Sequence, residues 1–161
     1  MSLKLAIPKR LEERLREESE KARVSIEEIA LEALYKGLGE ELDPSERAEA
    51  YKGLSEKHLA EADTFSGKRD YAQASEKLWG SAALMVKAVA AKRDVIISSH
   101  GDLYSFVTRL GTEQKDPELR RLFAVAGTLH QNFYENWLHG EVVKEYAEDV
   151  NQLLNKLKKL L

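Results

Sequence analysis

The stretch YAQASEKLWGSAALMVKAVA, residues 71–90, predicts a long helix at the centre of the fold. At 100° per residue, its apolar positions fall in one stripe, as expected of a helix that faces a core. The stripe consists of Tyr71, Ala74, Ser75, Leu78, Ala82, Met85 and Val89, flanked by Trp79 and Val86. The opposite side carries Glu76, Gly80, Ala83 and Lys87, and the small residues there let a second helix approach closely.

Further helices are predicted on both sides of this stretch. Asp43 and Pro44 suit the start of a helix that runs to about Phe65, and SGKRD forms the turn that follows. After a linker, RDVIISS, a capping box of Ser99 and Asp102 begins a short helix. The next helix is expected from residues 116–117 to 139, with a break at residue 140.

The last helix has apolar residues at alternating steps of three and four, which is a heptad seam. Its members are Val143, Tyr146, Val150, Leu153, Leu157 and Leu160. A seam of this kind packs either into the core of its own bundle or against a second subunit. We expect the bundle core.

The N-terminal part has a different pattern. Leu3, Leu5 and Ile7 alternate with Ser2, Lys4 and Ala6, which predicts a short strand that ends at Pro8. A helix to about residue 21 and a second helix, which begins at a Ser25–Glu28 capping box, complete the unit. The stretch GLGEELD, residues 37–43, is the expected boundary, so we predict a unit 1–38 and a bundle 43–161.

Composition excludes several classes of protein. The 161 residues are 33% charged, with a net charge of −3 and no Cys, so disulfides and thiolate metal sites are excluded. Residues 1–39 hold eight basic and eight acidic groups, and no segment is a basic arm for nucleic acid. No apolar run reaches the roughly 20 residues of a membrane span. We therefore expect a cytoplasmic protein with no membrane partner and no cofactor.

The N-terminal segment KLAIPKRLEERLREESEKARVSIEEIALEAL resembles a ribbon-helix-helix module. That family pairs two strands from two subunits, and outward strand side chains enter the DNA major groove. The resemblance implies a homodimer. Here Lys4 is the one outward side chain suited to reading bases, and the segment is electrically balanced, so we expect dimerisation rather than DNA binding. A DNA-binding regulator that uses this ribbon, and a helical hairpin packed on its own chain, are the alternatives.

The rest of the chain resembles a known family. The segments DYAQASEKLWGSAALMVKAVA, SSHGDLYSFVTRLG and LRRLFAVAGTLHQNFYENWL resemble, in that order, the archaeal paREP family, which is functionally uncharacterised. That family is similar in turn to the HEPN superfamily of helical bundles. The resemblance implies an all-α protein: a four- to five-helix, up-and-down, HEPN-like bundle with the small N-terminal strand-helix-helix unit.

HEPN relatives include metal-independent RNases, which use an Arg, a polar residue and a His. Arg93, Asp94 and His100 have that order here. If this chain is such an RNase, His100 would exchange a proton with the ribose 2′-hydroxyl or with the leaving oxygen. Arg93 would stabilise the negative charge of the phosphate. The segment DVIISS between them looks like a linker, which argues against an RNase site.

A non-catalytic site is the preferred reading, with a nucleotide, RNA or protein partner as ligand. Glu76, Trp79 and Lys87, with His100 near in sequence, are predicted to line a polar cleft. In TLHQNFYENWLHG, residues 128–140, His130 falls within the apolar stripe, so we expect a buried His held by a hydrogen bond. Tyr134 lies beside it, whereas Arg121, Asn132 and His139 fall on the opposite, partner-facing side. No metal site is predicted, because His130 and His139 point apart and Glu135 with His139 lacks a third ligand.

Overall fold

The computed structural model describes residues 3–41 and 43–161, which form α-helices joined by turns and extended segments. The described helices are α1 (Lys9–Ala22), α2 (Ile26–Leu38), α3 (Pro44–Gly67), α4 (Tyr71–Lys92), α5 (His100–Glu113), α6 (Glu118–Glu135) and α7 (Gly140–Lys158). The chain divides into two compact units, unit 1 (Met1–Leu42) and unit 2 (Asp43–Leu161). The described part therefore holds seven helices rather than four or five, and five of them lie in unit 2.

The predicted N-terminal strand is not present in the described residues, and Ser2 lies outside them. Residues 3–8 precede α1 without regular structure, and Lys4 is exposed there. A strand needs a neighbouring strand to take up its backbone hydrogen bonds, and residues 3–41, the described part of unit 1, offer none. The alternation of apolar residues was therefore insufficient to make a strand within one chain.

Unit 1 consists of α1 packed against α2. The turn between them places Arg23 in the left-handed region, and the Ser25 hydroxyl accepts a hydrogen bond from the backbone N–H of Glu28 at 3.2 Å. Gly39 ends α2 in the left-handed conformation, where glycine has no steric penalty. The caps expected from the sequence therefore set the ends of α2.

Helix α4 is the centre of unit 2, and it packs against α3, α5, α6 and α7. Most of its residues are buried, including the whole stretch Leu84–Ala91. Five of its buried residues are alanines, and such small side chains let several neighbouring helices come close at once. The sequence predicts one apolar stripe on α4. The buried surface of the helix is wider than this stripe, because neighbouring helices cover α4 on several sides.

The contact between α3 and α4 includes buried polar groups that bond to each other. The Ser55 hydroxyl donates to the Ser81 carbonyl at 2.7 Å, and the Ser81 hydroxyl donates to the Ser55 carbonyl at 2.9 Å. One residue before Ser81, Gly80 lies against the ring of His58. The expectation that Gly80 admits a neighbouring helix is confirmed.

The predicted up-and-down order fails between α4 and α5. The ring of His100, at the start of α5, stacks on Trp79 in the first half of α4, while Arg93 and Glu113 pair at the C-terminal ends of the two helices. The two helices therefore run parallel. Residues 94–99 return along the bundle as an extended crossover, with Val95 and Ile97 packed on the core and Ile96 exposed. Parallel neighbours need such a crossover, whereas antiparallel neighbours need only a turn.

Helices α6 and α7 complete the bundle, and the heptad seam of α7 lies in the core. Val143, Val150, Leu153 and Leu157 are buried within unit 2. The preference for bundle core over a second subunit is confirmed for this seam. No helix in the described part of the chain is long and apolar enough to cross a membrane.

An ion-pair network joins the α5–α6 turn to α7. The Lys156 ammonium lies 2.7 Å from an Asp116 oxygen and 3.1 Å from a Glu118 oxygen. The hydrogen bond from Lys156 lowers the pKa values of Asp116 and Glu118 below their ordinary 3.8 and 4.5, and the bond to Asp116 raises the pKa of Lys156 above 10.5. All three side chains are therefore charged at pH values between the lowered pKa values of the two carboxyl groups and the raised pKa of Lys156.

We predict that Lys156→Gln lowers the urea midpoint of unfolding at pH 7 and has much less effect at acid pH. Carboxylates with lowered pKa values stabilise the fold above their ordinary pKa, and this contribution disappears as the pH falls through the lowered values. The difference between variant and wild type should thus shrink below about pH 4. Lys159→Gln, at an exposed position on the same terminus, is the matched control. A difference independent of pH would show that the network contributes nothing.

We also predict that Gly80→Ala destabilises the protein by about 1–3 kcal/mol, because a methyl group there would lie 2.5 Å from the buried His58 ring. Chemical denaturation measures this change. Gly53→Ala in α3 is the control, since no atom lies within 4 Å of the added carbon. It should be neutral or stabilising by up to about 1 kcal/mol. Equal effects of the two substitutions would contradict the close approach of α3 to α4.

Candidate functional site

Three separate segments of unit 2 meet at one partly exposed site. Helix α4 contributes Glu76 and Trp79, α5 contributes His100, and α6 contributes His130 and Tyr134. We call these five residues the histidine cluster. They come from positions up to 58 residues apart in sequence, so only the packing of α4, α5 and α6 brings them together.

The rings of Trp79, His100 and His130 stack on one another. The ring centroids of Trp79 and His100 are 5.4 Å apart with an interplanar angle of 8°, and those of Trp79 and His130 are 5.0 Å apart at 25°. The two imidazoles are 5.4 Å apart at 17°. Trp79 is 3% exposed and forms the floor, whereas both imidazoles are partly exposed. Offset stacking of this kind is a favourable arrangement of aromatic rings.

Glu76 fixes the orientation of His130. Its Oε2 atom lies 2.9 Å from Nδ1 of His130, and the two side chains are 33% and 14% exposed. A carboxylate beside Nδ1 favours the tautomer with the proton on that nitrogen, so that Nε2 becomes the accepting atom of the ring. This confirms the expectation that a hydrogen bond holds His130, although the ring is only partly buried.

The cap of α5 positions His100. The Ser99 hydroxyl accepts from the backbone N–H of Asp102, and the Asp102 carboxylate accepts from the backbone N–H groups of Ser98 and Ser99. The hydrogen bond from the Ser98 backbone is the main cause of the lowered pKa of Asp102. His100, the first residue of α5, thus lies at the positive end of a helix dipole.

Tyr134 and Tyr104 extend the cluster along α6 and α5. Tyr134 meets His130 edge to face with ring centroids 5.4 Å apart, and its side chain is 66% exposed. Tyr104, one turn after His100, packs edge-on against Phe123, and burial raises its pKa. Its hydroxyl lies over Gly127, where a methyl group would clash. The sequence reading missed Tyr104, although its spacing of four from His100 on one helix was a usable signal.

Arg93 lies away from this cluster. It ends α4, and its guanidinium pairs with Glu113 at 2.6 Å. His100 is 13 residues before Glu113 on α5, which corresponds to about 20 Å along the helix. The crossover therefore separates Arg93 from His100, although only six residues lie between them in sequence.

Lys87 also lies apart from the cluster. It is 9% exposed, and its ammonium lies 6.0 Å from the centre of the Tyr51 ring of α3. Trp79 is eight residues earlier on α4, or about 12 Å along the helix axis. Of the four residues that the sequence suggested for one cleft, Glu76, Trp79 and His100 therefore lie in the histidine cluster and Lys87 does not.

Asn132 has a structural place instead of the partner-facing one expected from the helical wheel. It is fully buried, its Nδ2 atom donates to the Ser75 hydroxyl, and its Oδ1 atom accepts from the backbone N–H groups of Trp137 and Leu138. These bonds turn the chain out of α6, which ends at Glu135. The wheel failed for Asn132 because it does not show that Ser75 of α4 and the turn after α6 cover that side of the helix.

The remaining candidates of that segment are exposed. Arg121 is exposed and pairs with Glu118 on its own helix at 3.4 Å. His139 is the exposed residue that precedes α7, and Trp137, expected in the apolar stripe, is 53% exposed. Among the described residues, no group of three or more His, Asp or Glu side chains is arranged to hold a metal ion.

Comparisons with known proteins agree with this architecture. A family model described as the archaeal PaREP1/PaREP8 family matches residues 50–154. A crystal structure of a protein from Sulfolobus solfataricus is similar to this chain, with 25% sequence identity and a TM-score of 0.60. The similarity covers 66% of this chain and 95% of that one. No curated protein matches the sequence.

We predict that Asn132→Ala lowers the free energy of unfolding by roughly 2–4 kcal/mol, because the buried Ser75 hydroxyl and the partly buried backbone N–H groups of Trp137 and Leu138 lose the hydrogen bonds to Asn132. Asn151→Ala is the matched control. Its amide donates to the carbonyl four residues earlier on the exposed side of α7, so its loss should change stability by about 0.5 kcal/mol or less. Similar effects at the two positions would contradict the structural role of Asn132.

Proposed function

The chain belongs to the archaeal PaREP1/PaREP8 family, and we propose that its bundle is a non-catalytic module that binds a nucleobase-containing ligand, a nucleotide or RNA. The proposed site is the histidine cluster. One observation carries the proposal: two imidazoles stack side by side with Trp79, and Glu76 holds one of them in a fixed orientation at a partly exposed surface.

The rings of the cluster suit a nucleobase. Tyr134 presents a ring that is 66% exposed beside His130, and every base has a π face that stacks on such a ring. Stacking on aromatic side chains contributes about 1–3 kcal/mol per base. A base held against Tyr134 would lie within reach of Nε2 of His130, which can accept a hydrogen bond from an exocyclic amine.

The same cluster suits the phosphate of such a ligand. The backbone at the start of α5 adds positive potential at His100. That potential would stabilise an anionic group next to the base.

The family resemblance supports the same class of ligand. HEPN bundles, which this chain resembles, include nucleotide-binding partners of nucleotidyltransferases. In this proposal the protein works in the cytoplasm as a homodimer, as the resemblance to ribbon-helix-helix modules also implies. Lys87, Arg121 and Asn132 are left out of the site because of the positions described above.

Metal-independent RNA cleavage is the second candidate, and the Glu76–His130 pair is the observation that favours it. Nε2 of His130 would take the proton of a ribose 2′-hydroxyl, and the 2′-oxygen would attack phosphorus. The bond from phosphorus to the 5′-oxygen would break, and His100 would give that oxygen a proton. The products would be a 2′,3′-cyclic phosphate and a 5′-hydroxyl. Arg93 has no part in this scheme.

We predict that the purified protein carries a nucleotide or short RNA, detected by mass spectrometry after denaturation. We also predict that a fluorescent adenine nucleotide or a short oligoadenylate binds in titrations. Tyr134→Ala and Glu76→Gln should each weaken binding roughly tenfold, through lost stacking and a misoriented His130. Glu145→Gln, an exposed position on α7, is the control and should bind as wild type does.

Incubation of the same variants with RNA and EDTA separates the two candidates. Intact RNA together with cluster-dependent binding supports the non-catalytic module. Cleavage to a cyclic phosphate that His100→Ala and His130→Ala both abolish, and that Arg93→Ala retains, would establish the nuclease instead. The proposal is wrong if no nucleotide or RNA binds, or if Tyr134→Ala and Glu76→Gln both leave binding unchanged.

A further inference from the structure

Unit 1 leaves its apolar side chains uncovered. Among described residues 3–41, Glu28 is the one buried residue, and no apolar side chain is buried. The large apolar residues that remain exposed are Leu3 at 79%, Leu5 at 60%, Ile7 at 38%, Leu11 at 48%, Leu34 at 49% and Leu38 at 74%. Unit 2, by contrast, has a continuous core. Unit 1 therefore has apolar residues as a small folded domain does, but it does not bury their side chains.

A unit of this size needs stabilisation from another source. Domains below about 40 residues usually depend on disulfides, a bound metal or oligomerisation. The first 42 residues contain neither Cys nor His, so the first source is excluded and the usual ligands of structural zinc are missing. Association through the exposed apolar side chains is the remaining source.

The charges of α1 indicate what associates with it. The first eight residues of the helix, 9–16, hold four basic and two acidic side chains, a net charge of +2. The last six, 17–22, hold three acidic and one basic side chain, a net charge of −2. A second α1 placed antiparallel brings each basic half beside an acidic half, whereas a parallel placement brings like charges together.

The charges remain available for such a partner. Pairs within α1, such as Arg16 with Glu12 at 2.7 Å, have side chains that are about half exposed. Ion pairs at exposed positions contribute little to stability, so exchanging them for pairs between two helices costs little. Leu15 lies near the middle of α1 and Leu11 one turn before it, so an antiparallel pair would place apolar residues at its centre.

We propose that unit 1 is the docking surface for a second copy of this chain, with the two α1 helices antiparallel. Leu3, Leu5, Ile7 and Leu11 are covered in this dimer. The basic half of each α1 lies against the acidic half of the other. This interface rests on the homodimer of the proposed function and gives its contact surface, whereas none of its residues belongs to the histidine cluster that is proposed to bind the nucleotide.

Charge reversal in the full-length protein tests the interface. Light scattering and sedimentation should give a dimer for wild type. A variant with Lys9→Glu and Arg10→Glu and one with Glu18→Lys and Glu20→Lys should each dissociate about tenfold more readily, because like charges then meet. An equimolar mixture of the two variants should regain a heterodimer. This rescue also shows that both variants are folded.

A cysteine pair tests the orientation, since the chain has no Cys of its own. A mixture of Lys9→Cys and Ala22→Cys proteins should form the mixed disulfide in preference to either homodisulfide.

A control reversal on α7, Glu145→Lys, should leave the dimer intact. The proposal is overturned by a wild-type monomer up to high concentration, by a dimer that neither reversal weakens, or by preferred disulfides between identical positions. Nucleotide binding should be unchanged in the charge-reversal variants. A failure of the dimer proposal can therefore be distinguished from a failure of the nucleotide proposal.

Discussion

Helix α4 is buried along most of its length, and each of the four other helices of unit 2 packs against it. A helix in that position must be apolar on most sides, and its side chains must be small where neighbours come close. The alanines of α4, together with Gly80 against His58, meet both needs. Polar groups on α4 must then find partners in the neighbouring helices, as Ser81 does with Ser55 and Ser75 does with Asn132.

The crowding of α4 also explains the crossover after it. With α3 already antiparallel to α4, the chain returns along the bundle in residues 94–99 and begins α5 beside Trp79, so that α5 runs in the same direction as α4. This path puts His100 beside Trp79 and leaves Arg93 at the far end with Glu113. The arrangement of the candidate site is thus a consequence of helix order, and a simple up-and-down bundle of the same helices would not produce it.

In the histidine cluster, side chains of the packed core adjoin the side chains of the proposed binding site. Trp79 belongs to the core, and the two imidazoles and Tyr134 continue its aromatic surface outwards to solvent. Glu76 gives His130 a fixed hydrogen-bonding direction, which a purely structural ring at a partly exposed position would not require. We infer a binding site from this combination, whereas Asn132, equally polar, is fully accounted for by the turn that it stabilises.

The sequence by itself determined the helical class, the caps of α2 and α5, the buried seam of α7 and the small-residue side of α4, because these depend on periodicity and on local hydrogen bonds. It also named Glu76, Trp79, His100, His130 and Tyr134 one by one. Only the tertiary structure decided that α4 and α5 are parallel, that α6 stops at Glu135, and that residues 3–7 lack a strand partner. Each of these depends on contacts between distant segments, which a pattern within one segment does not contain. For the same reason only the fold could join His100 to His130 and separate it from Arg93.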